Sequence, residues 1–264
     1  MARWETELGE DWPARTHADA MFDRATTDAT GTQIAQLIRT IALLAAIVVV
    51  SEIGYYFLLP ALGLRSSYNA SSFAISLYYA LWAAIVVITF RNLFRGWSSF
   101  ESRRMACVLS CSSVAALALF AFALFPLLPP INWREPWAPP ELPLATSWYF
   151  LPKSVDILFQ QLLIVALVLT FSTLRYSLRT TSVSCALLFG AMHLLLTFAG
   201  LPTGYVIRFT VAAMAFGLVF PYLILRVPNG IAYSYTTHWT YYAVSVAMAH
   251  TMYTPGAGSP EAGP

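Results

Sequence analysis

Charge is what this chain has least of. Asp, Glu, Lys and Arg make up 11% of its 264 residues, against about 25% in soluble domains. Hydrophobic residues make up 58% and mean hydropathy is +0.63. Such a chain cannot hide its apolar surface by folding on itself in water, which excludes an ordinary soluble domain. Net charge is only +2, so no basic face is offered to nucleic acid. Cysteine is scarce too. Cys107, Cys111 and Cys185 fall in apolar runs, where they are expected as small buried hydrophobes, and no disulfide framework or thiolate metal site is indicated. The first 37 residues lack the short apolar core of a secretory signal. They are polar and carry Glu5, Glu7, Glu10, Asp11, Asp19, Asp23 and Asp28, and this 1–37 tail is expected to be retained. Within it, Trp4–Arg24 reads either as an amphipathic surface helix or as a disordered, partner-binding tail.

The chain does have apolar runs of about 20 residues, the length a helix needs to cross some 30 Å of hydrocarbon. They predict an all-α polytopic membrane protein of about seven spans, near 38–62, 72–94, 105–128, 153–174, 181–200, 204–225 and 230–253. Three spans thus occupy 38–128 and four occupy 153–253. A Pro/Trp-rich loop at 129–152, holding Trp133, Trp137 and Trp148, separates the two groups, and a flexible tail follows at 254–264. Prolines favour extended chain and tryptophans settle at headgroup level. Arg24, Arg39, Arg91, Arg95, Arg103, Arg104, Arg175, Arg179 and Arg226 fall on one side of an alternating path. Arg65, Arg134, Lys153 and Arg208 fall on the other. The positive-inside rule then predicts a cell (inner) membrane protein with a cytoplasmic N-terminus and an outer 129–152 loop.

Polar side chains in hydrocarbon are costly and normally face a bundle interior or a watery cavity. Glu52 in the first span reads equally as interfacial or buried. The later spans carry Asp156, Gln160 and Gln161, then His193, then Arg208, then His238 among Tyr233, Tyr235, Tyr241 and Tyr242. A shared polar cavity accounts for them economically. Asp156 and Gln160 are one helical turn apart, as are His238 and Tyr242.

The order of these residues resembles the CPBP family of intramembrane metalloproteases, which includes the type-two CAAX prenyl proteases and bacteriocin-processing proteins. The resemblance covers about Trp148 to His250. Phe189-Gly190-Ala191-Met192-His193 matches the family's Phe-x-x-x-His element. His238-Trp239-Thr240-Tyr241-Tyr242 stands where His-x-x-x-Asn is usual, with Tyr242 replacing Asn. It follows an Ala215–Leu223 helix and a Pro228-Asn229-Gly230 turn. The family's Glu-Glu pair falls on Gln160-Gln161, and Val165 occupies the place of its Arg.

The resemblance implies a four-helix core at 153–253 in which His193 and His238 hold a divalent metal such as zinc and a carboxylate activates water. A primary amide cannot accept that proton. The degenerate site of His193, His238, Gln160, Gln161 and Asp156 therefore points to a non-catalytic scaffold, binding subunit or regulator. Its expected partners are the lipid bilayer and other membrane proteins or a membrane-associated peptide. One alternative is an active metalloendopeptidase that cleaves prenylated or leader-bearing peptides, with Asp156 or Glu52 as a relocated acid. Another is a haem- or ion-binding subunit that uses the two histidines as ligands.

Overall fold

A computed structural model describes residues 17–96, 103–131, 141–198 and 200–252. Among them the secondary structure is helical. Helix α1 spans His17–Ile53, α2 Ser72–Thr89, α3 Arg91–Gly96 and α4 Arg103–Leu119. They are followed by α5 at Phe150–Thr173, α6 at Leu178–Leu194, α7 at Thr203–Arg226 and α8 at Gly230–Met252. The N-terminal residues before His17, the loop around Trp133 and Trp137, and the 254–264 tail lie outside the described residues.

Six helical segments are long and apolar enough to cross a membrane: Gly31–Ala61, Ser72–Thr89, Cys107–Leu127, Ser147–Thr173, Leu178–Thr197 and Thr203–Arg226. The protein is therefore an all-α polytopic membrane protein, and these segments follow the expected spans closely. The segment expected as a seventh span is helical, the 23-residue α8, but is not among these six. It is not apolar enough to cross on composition alone, because Ser234, His238, Tyr242, Ser245 and His250 line its buried face. Those polar groups meet other helices, which is where such residues can be satisfied inside a bilayer.

Helix α5 is the hub. In its apolar stretch 72% of the residues are buried within the bundle, against 17–28% in the other five spans. It packs against α1 and α2 on one side and against α6, α7 and α8 on the other, so the two groups of spans share one interior. From Leu162 to Leu169 it is apolar on all faces, which suits such a centre. Two apolar clusters flank it. One joins Tyr55, Ile75, Tyr79, Val86, Phe159, Val168, Cys185 and Phe220. The other joins Phe125, Tyr149, Phe150, Ile157, Trp239 and Val246. Cys185 is buried as expected, whereas Cys107 and Cys111 are exposed on α4. An exposed face of a spanning helix meets lipid, where a thiol is as acceptable as in a core.

Helices α6 and α7 touch through backbone at Gly217, where a Cβ would overlap the backbone of Ala186 and Cys185. Small residues at such crossings let membrane helices approach closely. Pro221 lies inside α7, one turn after Gly217, and proline cannot donate to the carbonyl one turn earlier. The turn into α8 places Asn229 at φ 57°, a left-handed conformation that asparagine tolerates. Both long entry helices contain a π-helical turn, Gly54–Leu58 after α1 and Phe120–Leu124 after α4. Just before the first, the Tyr78 hydroxyl donates to the Ser51 carbonyl.

Candidate functional site

The polar residues of α5 converge on Asp156. The Lys153 ammonium donates to Asp156 Oδ2 at 2.8 Å. The Tyr68 hydroxyl donates to the same oxygen at 3.0 Å. Gln160 Nε2 donates to Oδ1 at 2.8 Å. Lys153 is 8% exposed and Asp156 4%, so this is a buried ion pair with both carboxylate oxygens hydrogen-bonded. Lys153 and Asp156 lie in the first and second turns of this helix, about 5 and about 9 Å along it from Phe150.

The cation is further enclosed by aromatic rings. Its nitrogen stands 4.0 Å from the Tyr242 ring centroid and 5.3 Å from that of Tyr68. A desolvated ammonium over aromatic faces gains about 2 kcal/mol. Tyr68 in turn stacks among Tyr55, Tyr79 and Tyr149 at centroid separations of 5.4–6.1 Å. Burial first, and then the negative charge of Asp156, hold the Tyr68 phenol well above its usual range. It remains a donor at any physiological pH.

Tyr68 comes from the loop between α1 and α2, and Glu141 positions that loop. Glu141 Oε1 accepts from Ser67 Oγ at 2.7 Å and from the Asn69 amide at 2.7 Å, while Oε2 accepts from the Tyr68 amide at 3.0 Å. Asn69 returns the contact, donating to the Leu144 carbonyl at 3.2 Å and accepting from the Thr146 amide at 2.8 Å. The two loops therefore form one lid over the Lys153–Asp156 pair.

Gln161 faces α8. Its Nε2 donates to Ser234 Oγ at 2.6 Å, and its Oε1 is buried without a partner. His238, one turn beyond Ser234, is 6% exposed and its Nδ1 also has no partner. Rings of Phe216, Phe220 and Tyr242 surround His238 at 5.2–6.1 Å. His193 is half-buried on α6, and its Nδ1 donates to the Phe189 carbonyl one turn back at 2.8 Å. Tyr242 connects His238 to the buried pair, its ring centroid 5.6 Å from that of His238 and 4.0 Å from the Lys153 ammonium.

Four of the five expected residues divide into two sets, while His193 is hydrogen-bonded within its own helix. Asp156 and Gln160 belong to the Lys153 cage, whereas Gln161 and His238 belong to the α5–α8 seam. Glu52 is exposed on α1 and makes no hydrogen bond or ion pair among the described residues. The same residues do not gather three His, Cys, Asp or Glu side chains as a metal site requires. His193, His238 and the two amides therefore do not fit a zinc centre of the expected kind.

Sequence reasoning passed over Lys153, Tyr68, Glu141 and Ser234. Lys153 was legible, since an oppositely charged pair three residues apart inside an apolar span is the pattern of a buried pair. Nothing local marks Tyr68 or Glu141. No family model, curated protein or solved structure matches this chain.

Proposed function

We propose that this chain is a non-catalytic intramembrane scaffold or binding subunit with a CPBP-like arrangement of helices, seated in the cell membrane with its N-terminus in the cytoplasm. The observation that carries this reading is that the carboxylate of the degenerate site is already engaged. A general base must be free to accept a proton from water. Asp156, the nearest carboxylate, is neutralised by Lys153 and holds donors on both oxygens. Gln160 is bound to that carboxylate, and Gln161 to Ser234. The Lys153–Asp156–Gln160–Tyr68 cluster does what a buried, satisfied network does, which is to hold elements in one register.

The peptidase alternative draws on a different observation, the two buried atoms without partners, Gln161 Oε1 and His238 Nδ1. Gln161 Oε1 is an acceptor, and His238 Nδ1 donates or accepts according to its tautomer, so the two suit a water or a polar group of a bound peptide.

Co-purification of the tagged full chain from its native membrane in mild detergent separates the readings. The scaffold reading expects a stoichiometric membrane partner that stays bound when His193 or His238 is replaced by Ala. A monomer with no partner would sink it. For a peptidase, either substitution abolishes processing of a membrane peptide while insertion remains intact.

A further inference from the structure

Away from the central pair, Arg208 is a cation within a spanning helix that forms no ion pair among the described residues. Arg208 lies five residues into α7, about 8 Å along the helix from Thr203. It is exposed and donates through Nη2 to Ser245 Oγ at 2.7 Å. Its guanidinium also stands 5.9 Å from the Tyr241 ring, and the Tyr241 hydroxyl is buried without a hydrogen bond. Arg208 and Ser245 line a cavity of about 90 Å³ together with Tyr205, Leu142, Pro143 and Met248. Room for about three waters is also room for a compact anion. Arginine at this depth reaches toward the headgroup layer, and its planar fork matches phosphate oxygens. The apolar wall of Leu142, Pro143 and Met248 suits the glycerol and first acyl carbons that continue from such a headgroup.

We infer that this cavity binds the phosphate of an anionic phospholipid, with Arg208 supplying the charge and Ser245 orienting the guanidinium. The site is separate from the Lys153–Asp156 pair and does not depend on how that pair is read. It gives the junction of α7, α8 and the 141–146 loop a lipid as its fourth component.

The test is thermal unfolding of the detergent-purified full chain with phosphatidylglycerol, diacylglycerol or inorganic phosphate added. Phosphatidylglycerol is expected to raise Tm in a saturable way, while diacylglycerol and inorganic phosphate leave it unchanged. Arg208→Gln is expected to weaken the lipid's apparent affinity roughly tenfold or more, the value of one charged hydrogen bond. Arg208→Lys should restore part of it. An equal shift from diacylglycerol, or an unchanged affinity in Arg208→Gln, overturns the proposal. A shift with inorganic phosphate alone assigns the site to a soluble phosphate and overturns the lipid. Should Arg208→Gln not purify, Ser245→Ala keeps the charge and carries the test. It is expected to weaken binding severalfold, and full retention of affinity counts against the site.

Discussion

Removing the Asp156 carboxylate should be the most damaging single change to the centre of this protein. In Asp156→Ala, Lys153 loses its counter-ion, and Tyr68 and Gln160 lose the oxygens to which they donate. Breaking a buried pair by deleting one partner costs about 3–5 kcal/mol, because the remaining charge is left uncompensated. The Tyr242 face 4.0 Å from the ammonium offsets no more than about 2 kcal/mol of that. Lys153→Met should be milder, since the carboxyl keeps its Tyr68 and Gln160 donors and can take up a proton. The double variant Lys153→Met with Asp156→Leu should recover most of the loss, as apolar replacements of whole buried pairs do. A double-mutant cycle of Lys153→Met and Asp156→Leu with their two single variants, read by reversible unfolding in detergent, should give a coupling of about 3 kcal/mol or more, since the loss recovered is itself about 3–5 kcal/mol. Strictly additive losses, or an Asp156→Ala variant within about 0.5 kcal/mol of the parent, would refute the buried pair.

Three further outcomes follow from the same geometry. Gln160→Glu places a second carboxylate against Asp156, where Nε2 now donates at 2.8 Å, and should lower Tm. Gln161→Glu meets the Ser234 hydroxyl and should be better tolerated; the reverse order would contradict the assignment of the two amides to separate partners. Glu141→Ala removes three acceptor contacts to residues 67–69 and should speed amide exchange through residues 64–71 while the helices stay protected. Gly217→Ala drives a methyl group into the Ala186 backbone, which should cost about 1–3 kcal/mol by overpacking. An unchanged melting temperature would mean that α6 and α7 do not touch there.

Much of the fold was legible because crossing a membrane is a local demand. Each span must supply its own run of about 20 apolar residues and satisfy its own backbone, and both requirements are met within contiguous sequence. Helix α8 departs from that pattern because its buried face is polar, and that face is accommodated by packing against α4, α5 and α7. The candidate site was legible in part of its membership, Asp156, Gln160, Gln161 and His238, and not in its wiring. Asp156 and Gln160 were readable as neighbours because one helical turn fixes their separation. Whether Asp156 stood free as a base or closed in an ion pair was not.

What the sequence alone determined was the medium, the helical class and which segments carry polar groups, since composition and run length are properties of each stretch by itself. Tertiary structure decided which polar groups meet. Tyr68 reaches Asp156 across 88 positions, Gln161 reaches Ser234 across 73 and Glu141 reaches Ser67 across 74. Contacts at that separation depend on the rotation and register with which distant helices pack, and no local pattern encodes them.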